Sequence, residues 1–327
     1  MPEVGSKEHR KRVTEWHMAR SVEEMRRLLG ELEMQGDWAS WAGVMERDLS
    51  WNTVLYRLKQ SDVKFLLQGM SRVAPSPDHL RRMNYIADDR CPLCAHPRCD
   101  LLHIESYCGV ALEQGRYTWR HNEVLRPLHH FIGLRARAVK KPAVAKPRVK
   151  MFVKEGEARR QPPERKKTPA LLDGACDWHI TVDLPEFSYR FPVSVAVTGK
   201  RPDLVLWSVS LKLIILIELT VPAERNVMQA YDRKLQRYGG PGGLEGDCRD
   251  AGWAVELMPM EVGTLGFISQ STVRACKKLG AWSNELRRAL EDVALRASYV
   301  LFLERKSPGW CGGQRRLWRP RAGGPAA

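Results

Sequence analysis

Between positions 91 and 108 the chain reads Cys91-Pro92-Leu93-Cys94, then eight residues to His103, then four to Cys108. A segment this short cannot bury a core of its own, and a tetrahedral zinc ion is the usual means by which it gains a fixed shape. The Cys-x2-Cys turn supplies two thiolates; the element that follows returns an imidazole and a third thiolate. Four protein ligands close the coordination sphere, so the expected zinc is structural. His96 and Cys99 lie inside the loop and stand as alternative ligands. The remaining cysteines, 176, 248, 276 and 311, are scattered. The N-terminus mixes Lys, Arg and Glu with no apolar stretch of the secretory kind, which favours metal over disulfides.

The 327 residues carry a net charge of +15, and its location matters more than its size. Residues 134–167 hold 13 Lys and Arg against 3 acids, and residues 305–321 hold 6 against none. The rest of the chain is close to neutral. Residues 138–170 are rich in Lys, Arg, Pro and Ala without an apolar period and read as an extended linker. Flexible basic segments contact phosphate backbones, so DNA is the expected partner, with RNA left open. The plainer alternative is a solvated linker or a nuclear-import signal at Lys140-Lys141 and Arg165-Lys166-Lys167. A nuclear location is expected, with the cytoplasm left open. The longest aliphatic run, Leu211 to Leu219, is broken by Lys212 and Glu218 and falls far short of the ~20 residues of a membrane helix, so no membrane is expected. The oligomeric state has no signature.

Residues 7–70 read mainly as helix. Val22, Met25, Leu28 and Leu29 recur at helical spacing after a Ser21 N-cap with Glu24 three residues on. A stretch with Trp38, Trp41 and Trp51 precedes a second apolar helix around Val63 to Met70. Ala74 to Asp78, with two prolines, is a break. Residues 112–132 are helical again. From Trp178 the texture changes to β, with alternation from Phe187 through Tyr189, Phe191, Val193 and Val195 to Val197. Leu204 to Trp207 and Leu211 to Leu219 read as strands around a Ser208-Val209-Ser210 turn. Residues 223–238 are helical, Trp253 to Val262 a strand, and 271–280 and 284–304 helices. This order predicts an α+β chain. It has a helical region (1–85), a knuckle with its following helix (86–133), a basic linker (134–170), an α/β domain (171–305) and a basic tail (306–327).

Arg201-Pro202-Asp203 opens one predicted strand, and Glu218 ends the next. An antiparallel hairpin brings the two carboxylates together. A carboxylate at the end of an aliphatic strand is costly to bury without a partner, and Mg²⁺ or Mn²⁺, which prefer hard oxygen ligands, would supply one. Thr220 occupies the place two residues after Glu218 where a lysine would complete a nuclease site. The candidate is instead Lys234, which shares a helix face with Val227, Ala230 and Tyr238. The plainer reading is a turn aspartate, a strand-end glutamate and a surface lysine lying along apolar neighbours.

In combination these segments resemble the C-terminal region of site-specific non-LTR retrotransposon polyproteins, where a zinc knuckle and a restriction-like endonuclease follow the reverse transcriptase. The resemblance is carried by the knuckle, by Gln114-Gly115-Arg116-Tyr117-Thr118-Trp119-Arg120-His121, by Arg201-Pro202-Asp203 and by Ile217-Glu218-Leu219-Thr220-Val221-Pro222. Arg233-Lys234 with Tyr238, the stretch from Glu261 to Thr272, and upstream residues 47–52 through 75–77 belong to it too. It covers roughly residues 38–305. It implies a PD-(D/E)xK fold whose lysine is displaced to the next helix. Asp203 and Glu218 would be the catalytic acids and metal ligands, with the Leu219 carbonyl a further ligand, Lys234 the lysine and Tyr238 an accompanying aromatic. The implied function is a metal-dependent DNA endonuclease that nicks a strand. The alternative is a catalytically inactive nucleic-acid-binding remnant or domesticated protein. No aromatic-x-Asp-Asp turn of a polymerase is present, since Ala87-Asp88-Asp89 lacks the aromatic. No RNA copying is expected, and the chain reads as a truncated element copy, a fragmentary gene model or a host gene derived from one.

The charge pattern yields a measurable expectation. Each phosphate neutralised on duplex DNA adds about 0.9 to the log–log salt slope. Deleting residues 134–167 should flatten the slope measured by salt titration of binding. An unchanged slope would move the binding surface to the folded parts.

Overall fold

The helical segment before residue 140 and the mixed segment after 168 share their apolar cores. The computed structural model describes residues 4–32, 34–45, 54, 56–139 and 169–320. Trp51, the 47–52 stretch, and the basic residues at 140–141 and 165–167 lie outside the described residues.

Helix α1 (Lys7–Gly30) starts at Ser6, whose Oγ accepts the His9 N–H. Ser21 therefore sits inside a continuous helix, and the N-cap expected there is not one. None of its residues is buried; Val22, Met25 and Leu28 stay exposed. Helix α2 (Gln60–Met70) buries Phe65 and Leu66. The expected break at 74–78 is also a helix start: Ser76 caps α3 (Pro77–Arg82), with a proline in the first turn, where the missing N–H costs nothing. After the knuckle come α4 (Gly109–Glu113) and the long α5 (Arg116–Val139). Because α5 continues to Val139, Arg135 and Arg137 belong to a helix rather than to the linker.

The sheet contains β1 (His179–Val182), β2 (Leu204–Ser208), β3 (Leu213–Thr220) and β4 (Ala254–Glu261), in that spatial order. β1–β2 and β2–β3 are antiparallel, and β3–β4 is parallel. The parallel pairing needs a crossover, supplied by α6 (Val227–Tyr238) and α7 (Leu244–Asp250). Helices α8 (Gln270–Leu279) and α9 (Asn284–Leu303) follow. β3 is aliphatic from Leu213 to Ile217 because both its faces are covered. Ile215, Ile217 and Leu219 meet Leu125, Leu128 and Ile132 of α5; Ile214 and Leu216 meet Tyr238, Leu244 and Trp253.

The alternation from Phe187 to Val197 forms no strand. Pro192 has no ladder donor, and its carbonyl accepts the Val195 N–H in a turn. Val195 is buried, whereas Val193 and Val197 are 82% and 93% exposed. The tail also departs from a free basic arm. Arg116 donates to the carbonyls of Glu304 and Ser307, Trp310 packs on Trp119 at 5.4 Å, and the Leu317 N–H donates to Glu123. Arg315 and Arg316 pair with Glu304 and Glu186. Up to Trp318, whose ring packs on His130 and Phe131, the tail is thus docked on α5, with part of its charge neutralised.

A second core joins α2, the knuckle cysteines and α9 through Phe65, Leu66, Cys91, Cys99, Leu295 and Phe302. Between this core and the sheet lies a buried polar group. Arg120 of α5 donates to the Val221 carbonyl at 3.1 Å. Thr264 Oγ1 donates at 2.8 Å to Glu105 and lies 3.2 Å from Glu224 Oε2, while Glu224 Oε1 accepts the Leu265 N–H at 2.7 Å. Burial pushes the Glu105 carboxyl up to about 8, against the pull of Arg120, and the Glu224 carboxyl up to about 7. Both groups thus bind protons in the native state that the unfolded chain, near 4.5, has lost. Stability should fall as pH rises from about 4.5 to about 8 and then level off. Urea unfolding of Glu105→Gln/Glu224→Gln should show a shallower fall over this window. An unchanged pH dependence would remove the two carboxyls as its cause.

Candidate active site and metal centre

The knuckle is built from two turns brought face to face. The Cys91 N–H donates to the His96 carbonyl and the Ala95 N–H to the Cys91 carbonyl, curling the Cys-x2-Cys loop. His103 opens a π-helical turn (His103–Tyr107), with its N–H donating to Asp100 Oδ1. Tyr117 of α5 fastens the second half: its hydroxyl accepts the Cys108 N–H and lies against the carbonyls of His103 and Ile104. The Cys91, Cys94 and Cys108 sulfurs and a His103 ring nitrogen all lie within 4.8 Å of one another. Cys91 and Cys108 Sγ are 3.9 Å apart, and Cys94 Sγ is 3.3 Å from His103 Nε2. The group can hold a metal ion such as zinc. Cys99 and His96 border this group without belonging to it: the buried Cys99 thiol contacts that of Cys91, and the His96 ring stacks on that of His103 at 4.6 Å. Burial pushes the Cys108 thiol up to about 12, a cost that a cation among the thiolates removes.

The carboxylates predicted from the hairpin do meet. β2 and β3 pair Leu204 with Ile217, so Asp203 and Glu218 stand at the next position along the ladder. The Leu219 N–H donates to Asp203 Oδ2 at 2.7 Å. Lys234 reaches over from α6 and its Nζ lies 2.6 Å from Glu218 Oε2. Val227, Ala230 and Tyr238 bury the face from which it projects, and Tyr238 lies beside it with the ammonium 5.8 Å from the ring centre. Asp203, Glu218, Lys234 and Tyr238 therefore converge at one end of the sheet. Burial, then the neighbouring Asp203, pushes the Glu218 carboxyl up to about 7, with Lys234 opposing. Burial also raises Asp203, but His121, Lys234 and the Leu219 N–H outweigh it and hold that carboxyl below its ordinary value. Glu218 is 1% exposed; its Oε1 is buried without a hydrogen bond of good geometry, although the Tyr238 hydroxyl lies close enough to the carboxyl to act on it. An acceptor left in that state is costly and is well matched to a hard cation.

Two polar residues of this region have no role in the sequence reading. His121 of α5 places Nε2 3.3 Å from Asp203 Oδ2. It lies within the Gln114–His121 motif quoted above, yet nothing local announces its partner. Glu261 ends β4 in register with Thr220, fully buried. Its Oε2 accepts from Ser271, while its Oε1 and Thr220 Oγ1 are buried and unpartnered. Like Glu218, Glu261 is a buried carboxylate at the end of a strand. A cleft of about 490 Å³ opens beside the pair, between the knuckle and α6. Arg120, His121, Arg233, Lys234 and Arg237 line it, without any Asp or Glu. Asn226 Nδ2 donates to the Tyr107 hydroxyl at 2.9 Å, joining the two walls.

Comparison of the chain with protein-family models and with curated proteins gives no match.

The ligand geometry makes one metal equivalent the expected stoichiometry at the knuckle. Cys91→Ser/Cys94→Ser should lose it, measured as zinc content of the purified protein. Full retention would exclude this ligand set.

Proposed function

We propose that this chain is a retrotransposon-derived, metal-dependent endonuclease module that hydrolyses one phosphodiester of a DNA strand. The observation that carries the reading is the convergence of Asp203, Glu218 and Lys234, with one buried Glu218 oxygen lacking a hydrogen bond of good geometry. Asp203, Glu218 and the Leu219 carbonyl would hold Mg²⁺ or Mn²⁺. Such an ion, when bound, lowers the pKa of water and offsets charge on the scissile phosphate. Lys234 orients the attacking water and stabilises the charge that grows on the phosphate oxygens. Tyr238 lies beside the lysine, and its hydroxyl acts on the Glu218 carboxyl. The water oxygen bonds to phosphorus while the bond to the leaving sugar oxygen breaks.

The sheet order, with two antiparallel pairings, a helical crossover and a parallel strand, supports a PD-(D/E)xK arrangement. The acid-free cleft fits a polyanionic strand, and three residues that contact the carboxylates, His121, Leu219 and Lys234, line it. Zinc in the knuckle would keep Ser106 and Tyr107 on the cleft wall, and the basic linker would add phosphate contacts. The same cleft favours a second reading, a nucleic-acid-binding remnant without catalysis, with RNA as an alternative ligand. A DNA-acting module of this kind works in the nucleus. The described residues contain no helix long and apolar enough to cross a membrane.

Supercoiled plasmid with Mg²⁺ or Mn²⁺ separates the two readings. Wild type should convert it to the nicked form. Glu218→Gln should abolish nicking while gel-shift affinity stays the same, because metal ligation is lost and phosphate contacts are not. Lys234→Ala should slow nicking by about 10²- to 10⁴-fold. Wild-type binding without nicking in either ion would leave the binding remnant.

A further inference from the structure

We propose that His121 is a positioning residue of the carboxylate pair: reaching from α5, it fixes the plane of the Asp203 carboxylate and thereby sets how tightly the pair holds a hard divalent cation. This rests on the reading of Asp203 and Glu218 as cation ligands.

Each carboxylate is held through one of its oxygens by a nitrogen from a helix outside the sheet. Glu218 Oε2 meets Lys234 Nζ of α6, and Asp203 Oδ2 meets His121 Nε2 of α5. Asp203 Oδ2 also accepts the Leu219 N–H. That single backbone bond ties the carboxylate to β3 but leaves its terminal torsion broad, because a carboxylate rotates easily about its last bond. A donor arriving from another direction removes that freedom. Both contacts fall on Oδ2, so Oδ1 is the oxygen presented to a cation.

The imidazole can act this way because its own place is fixed. Nδ1 lies 3.2 Å from Asn122 Oδ1, and the ring side chain is only 22% exposed. The same helical turn is anchored twice, by Arg120 on the Val221 carbonyl and by Tyr117 on the knuckle. The backbone beneath His121 is thereby tied to both the knuckle and the β3 end. Groups that orient metal ligands from behind contribute about 10- to 100-fold in metal affinity or activity.

The test uses the full-length, zinc-loaded chain and Mn²⁺ alone as the probe. Mn²⁺ affinity is measured by electron paramagnetic resonance of the unbound ion, and nicking rate is followed against Mn²⁺ concentration. His121→Ala should weaken Mn²⁺ binding by about 10- to 100-fold, with nicking recovered at high Mn²⁺. His121→Gln, which keeps an N–H donor, should regain part of the affinity. Zinc content and thermal unfolding report whether each variant is folded; should the alanine variant unfold, the glutamine variant against wild type carries the comparison. Unchanged Mn²⁺ affinity in a folded variant overturns the proposal and leaves the nuclease reading standing. So does a lower rate at saturating Mn²⁺ with affinity intact, since His121 would then act directly. Wild type that binds no Mn²⁺ overturns the carboxylate reading and this inference together.

Discussion

Arg120 is a cation taken out of water, and much of the structure is arranged around making that tolerable. A buried guanidinium needs its donors satisfied and its charge balanced, or it costs several kcal/mol. Val221 offers a carbonyl, Ser298 a hydroxyl at 3.5 Å, and Glu105 and Glu224, whose carboxyls burial pushes up to about 8 and about 7, act on its charge from nearby; Nε stays without a partner among the described residues. Those partners come from the end of β3, from α9, from the knuckle and from the start of the crossover. Satisfying one side chain therefore draws four separate segments into a fixed relation. The remaining residues of the same turn use that placement. Arg116 ties down the C-terminal segment, Tyr117 the second half of the knuckle, and His121 the Asp203 carboxylate.

The candidate site follows from this arrangement. β3 delivers Glu218 and the Leu219 peptide, β2 delivers Asp203, and α6 delivers Lys234, all at one end of the sheet. A local helical region and a separate knuckle would leave that end open to water. Docking the knuckle through α5 instead gives the cleft a second wall, lined by Lys234, His121 and Leu219, which contact the carboxylates, and by no Asp or Glu. Local stability is unevenly distributed. α1 buries nothing, whereas β3 is closed on both faces.

Much of this was legible in the sequence where the signal is short-range. The four knuckle residues lie close along the chain, so spacing proposes them, but it leaves Cys99 and His96 as alternatives that only the folded geometry sets aside. The β3 run, the face of α6 and the Asp203–Glu218 pairing follow from strand and helix periods. Period failed where proline intervened: the alternation of Phe187 to Val197 is genuine as a pattern, but Pro192 turns the backbone before a ladder can form. It failed again at Ser21, whose capping pattern is overridden by helix continuing from Ser6.

The sequence by itself determined most of the helices and strands, the cysteine–histidine cluster and the carboxylate pair, because each depends on geometry that repeats within a few residues. Tertiary structure alone decided that α5 belongs to the sheet's core, that the basic tail is docked, and that His121 and Glu261 stand among the buried polar groups at the site. Those outcomes depend on which distant group satisfies a buried charge or covers an apolar face. Neither is encoded in local spacing; Arg120 and Asp203 acquire their partners only when the chain closes on itself.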